Sequence, residues 1–307
     1  KEMVVTITHA GYIKRLELDT YKSQKRGGKG VVATGAKDED WVEDLFVASN
    51  HSYVLFFTNK GQVHWVKVYE IPEGSRQAKG KPIVNLISLS EHEKVTSFVP
   101  VKIFEASQYL FMTTRKGVVK KTSLDLFSRP RQGGIRAITL DEGDELIGVG
   151  MTDGTNQIII ATQQGTAIRF DETDVRSMGR SAGGVRGITL DEKDEVVGME
   201  VADEKKTLLT ATSKGFGKRT SVGEYRLVGR GGKGVININL TDKNGIVVAI
   251  KALEDSHEIM LISKNGNAIR TRAQDISVIG RATQGVRIMR LDEGDELVSV
   301  ARIANDV

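Results

Sequence analysis

Arg26-Gly27-Gly28-Lys29-Gly30 recurs letter for letter as Arg230-Gly231-Gly232-Lys233-Gly234, and both copies stand at the same phase of a repeat that runs the length of the chain. Outward from these copies, a glycine follows each of six apolar runs: Gly11, Gly61, Gly117, Gly165, Gly215 and Gly266, about fifty residues apart. A second glycine trails each one, at Gly30, Gly80, Gly134, Gly184, Gly234 and Gly285. The offset is 19 residues in every copy but the third, where it is 17. The apolar runs, such as Tyr53-Val54-Leu55-Phe56-Phe57-Thr58 and Ile158-Ile159-Ile160-Ala161-Thr162, have the length and the β-branched and aromatic content of strands. Short polar turns ending in glycine, as in Arg115-Lys116-Gly117, mark tight hairpins, and a second strand follows each. After the second glycine comes a further strand, as in Val185 to Leu190, then an acidic turn and a last apolar stretch.

Four strands in a fifty-residue unit, six times over, predict an all-β fold: a six-bladed β-pinwheel, propeller-like, with about four strands per blade and residues 1–307 forming one domain. Six copies close a ring without long open edges. Helix signals are almost absent, the best being Asp40-Trp41-Val42-Glu43-Asp44-Leu45-Phe46. The chain has no cysteine, which excludes disulfides and thiolate zinc sites and points to a reducing compartment. With no signal peptide and no apolar run of membrane-spanning length, the reading is a soluble cytoplasmic protein with no membrane partner. The abrupt start Lys1-Glu2-Met3 suggests a piece of a longer polypeptide.

The formal net charge is only +4, from 44 Lys and Arg against 40 Asp and Glu, but its arrangement is ordered. Four residues before the second glycine stands Arg26, Arg76, Arg180, Arg230 or Arg281, with Arg131 one position later in the third copy. Four residues after the first glycine stand Arg15, Lys121, Arg169, Arg219 and Arg270, with Trp65 as the exception; Lys14, Lys120 and Lys218 precede three of these. In a ring, basic residues at one phase fall at one level, so a positive belt is expected. The acids have their own phase: Asp141 to Glu145, Asp191 to Glu195 and Asp292 to Glu296 each begin seven residues after the second glycine. They read as solvated turns, with a hard-cation site as the alternative; their spacing is not that of an EF-hand.

Glycines without a Cβ let backbone N–H groups approach an anion, and flanking Arg and Lys add charge and donors, so phosphate is the natural ligand of the loops. Repeated around a perimeter, such loops suit a bent polyphosphate, double-stranded DNA. Aromatic stacking platforms for single strands are missing from the loops; Tyr21 and Tyr225, which precede two of them, read as core. No recognition helix is evident, so binding is expected to be sequence-nonspecific. Bending a few tens of base pairs through a right angle costs on the order of 1–6 kcal/mol, which many phosphate contacts must offset. The first loop is the expected anchor, with Lys29 and Lys25 beside Arg26, and the remaining loop lysines are Lys79 and Lys233. Catalytic signals are absent. Lys29 is followed by Gly30 rather than Ser or Thr, so the loop is not a P-loop. Gly229 to Gly234 matches G-x-G-x-x-G but leads into a strand pattern, which excludes a dinucleotide fold. His9, His51, His64, His92 and His257 have no zinc spacing.

Gln24-Lys25-Arg26-Gly27-Gly28-Lys29-Gly30 resembles the heptapeptide box of the C-terminal domains of bacterial DNA gyrase A, with Lys25 where that family often has a second arginine. Weaker echoes in Gly61-Gln62-Val63, Lys79 to Asn85, Gly217 to Thr220 and Gly280 to Val286 extend the likeness over the whole chain. The resemblance implies a pinwheel that wraps DNA with a fixed hand, enabling ATP-dependent negative supercoiling. It implies no catalytic residue and no metal or other cofactor in this segment, since the cleavage tyrosine, ATP and Mg2+ belong elsewhere in the holoenzyme. The implied partners are DNA, the rest of a gyrase A dimer, and gyrase B in an A2B2 complex at the bacterial nucleoid, the isolated domain being monomeric. Two other readings stay open: the corresponding wheel of topoisomerase IV, in which the first box is typically degraded, and a protein-interaction propeller. The acidic tail carried by some family members is absent after Asn305-Asp306-Val307, which puts regulation through such a tail in doubt.

Overall fold

Each repeat folds as the glycine phase predicts. The first two strands form a hairpin, for example Gln157–Thr162 with Thr166–Asp171, turning at Gly165 with φ +93°. The third strand, here Val196–Ala202, pairs antiparallel on the other side of the first. A register shift falls near the same end of this pairing in each blade, as between Ala161 and Thr162, adding local twist. The computed structural model describes residues 1–27 and 40–305, the side chains of residues 24–27 excepted.

The third strands line the axis. They touch in succession from Val95–Val101 through Leu297–Ile303 and on to Val42–Ser49, and Ala304 N donates to Val42 O at 3.2 Å. Five sheets have four strands, and the sixth shows three among the described residues. In each four-stranded sheet the fourth strand is lent by the following repeat. Lys81–Pro82 completes blade 1, Ile135–Arg136 blade 2, Val185–Arg186 blade 3, Val235–Ile236 blade 4 and Val286–Arg287 blade 5. The expected strand from Val185 to Leu190 is therefore only two residues long and belongs to the neighbouring blade.

Apolar cores sit between adjacent blades. Leu55 and Phe57 of blade 2 pack with Leu110 and Met112 of blade 3, and Phe111 and Phe170 meet across blades 3 and 4 at 6.1 Å between ring centroids. The helix expected over 40–46 is instead the strand Val42–Ser49. Pairing with Glu2–Thr8 overrides its weak helical pattern. The one α-helix among the described residues is Leu18–Gly27. It occupies the phase at which later repeats place single 3-10 turns, such as Val68–Glu70 and Val222–Glu224. No helix among the described residues is long and apolar enough to cross a membrane.

Candidate nucleic-acid interface

The arginine loops lie immediately before the lent strands, at the outer edge of the sheets. Arg131 and Arg230 are exposed, and Arg76, Arg180 and Arg281 are half-buried. Arg230 donates from Nε to Asp174 O and from Nη1 to Arg186 O, both at 3.0 Å. One repeat on, Arg281 donates to Glu224 O at 2.9 Å and Ile236 O at 2.7 Å. Holding Nε and one Nη against the protein aims the rest of the guanidinium outward, in one orientation, which lowers the entropy cost of gripping a phosphate. Arg76 packs 4.4 Å over the ring of Tyr21. Lys79 is exposed above Tyr12, and Lys233 is exposed 3.5 Å from Asp191 Oδ1. Of the heptapeptide, Gln24 to Gly27 fall in the Leu18–Gly27 helix, while Gly28, Lys29 and Gly30 lie outside the described residues, as do the side chains of Gln24, Lys25 and Arg26.

Neighbouring loops interlock. Thr139 N donates to Ala182 O at 3.2 Å, Thr189 N to Gly232 O at 2.9 Å and Asn239 N to Thr283 O at 2.8 Å. The arginine-loop regions of repeats 3 to 6 are thus linked in one hydrogen-bonded backbone band.

The second basic row departs from the expected belt. Lys121, Arg169 and Arg219 are 6 %, 5 % and 4 % exposed and point into the joint with the next blade. Arg169 donates to Tyr225 O at 3.0 Å and Glu204 Oε1 at 2.6 Å; Arg219 donates to Ile276 O at 2.9 Å and Asp255 Oδ1 at 2.6 Å. Arg15 does the same with Ile71 O at 2.6 Å and Glu73 Oε1 at 2.7 Å. Arg270 is exposed and paired with Glu258. Alternation along the second strand turns this phase toward the 3-10 turn of the following repeat, whose outward carbonyls need donors. These residues are interblade struts, and of the two basic rows only the loop arginines remain candidates for an interface.

At the joint of blades 3 and 4 the strut is a buried ion pair. Lys121 Nζ lies 3.7 Å from Oε1 of Glu172, which is 0 % exposed and also receives Thr152 Oγ1 at 2.8 Å and Asn156 N at 2.7 Å. Glu172→Gln is expected to cost about 1–3 kcal/mol by leaving the Lys121 charge unmatched. Urea unfolding measures the loss, and Lys121→Met in the same chain should recover part of it.

Sequence reasoning missed a row of exposed arginines two residues after the second glycine: Arg136, Arg186 and Arg287, on the lent strands. The same six-fold alignment that exposed the loop arginines contains this phase. The three preceding lysines are also not part of an outer belt. Lys120 and Lys218 are 0 % exposed, and burial pushes them down to about 7 and about 8. The acidic turns brace the hairpins. Asp144, Asp194 and Asp295 each accept, through Oδ1, from the hairpin turn beside them, at Lys116 N (2.9 Å), Gln164 N (3.0 Å) and Asn265 N (3.0 Å).

Six sheets around an axis, with arginine loops interlocked on the outer edge, define a six-bladed β-propeller with a basic rim. A family model described as the DNA gyrase C-terminal domain, beta-propeller, matches once per repeat, over residues 2–49, 52–102, 108–153, 156–203, 206–254 and 257–304. The chain belongs to this DNA gyrase C-terminal domain family. It is 54 % identical over 303 residues to the DNA gyrase A protein of Halalkalibacterium halodurans, covering 99 % of this chain and 36 % of that protein. With the Escherichia coli gyrase A protein the identity is 44 % over 307 residues, 100 % of this chain and 35 % of the relative. The chain thus spans about a third of the length of these relatives. Among solved structures, the C-terminal domain of DNA topoisomerase IV superposes with a TM-score of 0.87 at 27 % identity, covering 98 % of this chain and 93 % of that one. A DNA gyrase A C-terminal domain superposes at 0.73 and 28 % identity, covering 99 % and 100 %.

Proposed function

We propose that this chain binds double-stranded DNA without sequence preference and wraps it around the loop rim with a fixed hand. In the complete enzyme this wrapping would bias strand passage toward ATP-dependent negative supercoiling, with the rest of gyrase A and with gyrase B as partners, and with cleavage, ATP and Mg2+ supplied outside this segment. The observation that carries the reading is the row of arginines Arg76, Arg131, Arg180, Arg230 and Arg281 at one phase of the outer rim, with the guanidiniums of Arg230 and Arg281 held to backbone carbonyls by two donors each. Backbone-directed cations positioned by a rigid ring recognise phosphate spacing and duplex curvature rather than base edges. The heptapeptide at 24–30 belongs to the same interface, as the anchor at which the wrap starts.

Topoisomerase IV-type recognition of DNA crossings is the second reading, favoured by the 0.87 superposition. The intact heptapeptide and the 54 % and 44 % identities to gyrase A chains weigh for wrapping. Ligation of nicked circular plasmid with increasing amounts of this protein at low salt decides between them. A dose-dependent positive shift in linking number is the expected result. Binding without a shift would transfer the chain to the crossing-recognition reading, and absence of binding would reject both.

A further inference from the structure

Lys120 and Lys218, which are buried, and Lys14, which is half-buried, do not merely fill space beneath the rim. Lys14 Nζ donates to Ser75 O, Arg76 O and Ala78 O at 2.9, 2.6 and 2.7 Å, consuming all three of its protons on the loop of the next repeat. Lys218 Nζ donates to Gly280 O at 2.8 Å, Arg281 O at 2.5 Å and Thr283 Oγ1 at 3.1 Å. Lys120 Nζ donates to Ala137 O and Arg180 O. In each case the carbonyl of the loop arginine itself is gripped. The position lies three residues after the first glycine and reads Lys14, His64, Lys120, Ile168, Lys218, Ile269 around the ring, so lysine occurs in every other blade. Among the described residues no ammonium caps the carbonyl of Arg131 or Arg230.

The loops alternate in step. After their arginine the clamped loops read Gln77-Ala78, Ser181-Ala182 and Ala282-Thr283, and turn to positive φ only at the final glycine, Gly80, Gly184 or Gly285. The unclamped loops at 131 and 230 also carry an interior glycine at positive φ, Gly133 at +83° and Gly231 at +90°. An interior left-handed glycine reorients the adjoining peptides, whereas a loop without one presents its arginine carbonyl inward, where a buried cation satisfies it. The buried ammonium and the interior glycine are two solutions to the same backbone problem.

Resting on the DNA-binding reading above, we propose that Lys14, Lys120 and Lys218 are positioning residues that clamp every second loop, presetting Arg76, Arg180 and Arg281 for phosphate. Among the described loops, the rim then alternates between three fixed before DNA arrives and the glycine-turned loops of Arg131 and Arg230. Of these two, the Arg230 loop carries its extra cation outside, as Lys233.

The test is a double-mutant cycle between Lys120→Ile and Arg180→Gln, with duplex affinity read across a salt titration. Isoleucine is the residue the ring already accommodates at this position in blade 4, as Ile168. Lys120→Ile is expected to weaken duplex binding about tenfold, with little further loss when Arg180 is already glutamine. A buried cation acting on DNA by its charge alone would give additive losses, and additivity or wild-type affinity would overturn the clamp. Hydrogen exchange on the unmodified protein gives an independent check should Lys120→Ile not fold. Peptides spanning 75–80, 180–184 and 280–285 should exchange more slowly than those spanning 130–134 and 230–234, and equal rates would also overturn the clamp. Should the unmodified protein bind no duplex, the DNA reading fails and the exchange pattern alone decides the clamp.

Discussion

Changing Arg76, Arg131, Arg180, Arg230 and Arg281 together to glutamine is expected to flatten the log–log salt dependence of duplex binding by about 4 and to lower affinity on the order of 10³-fold near 0.1 M salt. Each phosphate contact releases counterions, so the slope counts contacts while the affinity sums them. On the wrapping proposal, these five exposed or half-buried side chains at the outer edge are the contacts being counted. Arg230 and Arg281 each give two donors to backbone carbonyls, so a modest loss of stability accompanies the loss of binding. Methionine at Lys121, Arg169 and Arg219 should produce the reverse pattern, a lower unfolding midpoint with the slope retained, because those groups are spent inside the blade joints. Filter binding at four or five salt concentrations reads both sets. An unchanged slope in the five-arginine variant would place the interface elsewhere on the ring.

Gly184→Ala should be a severely damaging single methyl group on the rim, with an expected loss of about 3–5 kcal/mol. Gly184 has φ +91°, and a Cβ there would stand 2.4 Å from Val119 O in the neighbouring blade. Backbone strain and a backbone clash act together, and the strand that would have to yield carries Lys120 and Lys121. Gly266→Ala is the control: its φ is +89° but a Cβ would meet nothing within 4 Å, so only the left-handed penalty of about 1–2 kcal/mol remains. Denaturant unfolding of the two variants separates the contact from the dihedral. Equal losses would mean that the second glycine is there for its φ alone.

The architecture was legible because the repeat fixes two glycines per unit. Gly117 and Gly184, at φ +90° and +91°, mark a hairpin and a close blade contact that side chains cannot imitate. The loop arginines were legible as a phase for the same reason. The second basic row was misplaced because strand alternation says that a residue leaves the sheet on one face without saying what covers that face. Arg169 and Arg219 meet the 3-10 turns of the next repeat, more than fifty residues away in sequence. Strand lending was equally invisible: Val185-Arg186 looks like part of its own unit, yet it pairs with Val119 and Val118 of the unit before. The Leu18–Gly27 helix was hidden by a segment of ordinary polarity, whose counterparts in later repeats form only 3-10 turns.

Strand lending also sets a timetable for synthesis. The second strand of blade 3 ends at Ser123, but the segment that covers its outer edge begins at Val185. At roughly 5–20 residues per second, the ribosome needs several seconds to deliver that segment. Through that interval the newest blade on each emerging chain presents an unpaired edge, and two such chains on one message offer each other the same edge. The blade therefore closes one repeat late, and chaperone demand should follow the rate of translation rather than the final stability of the ring.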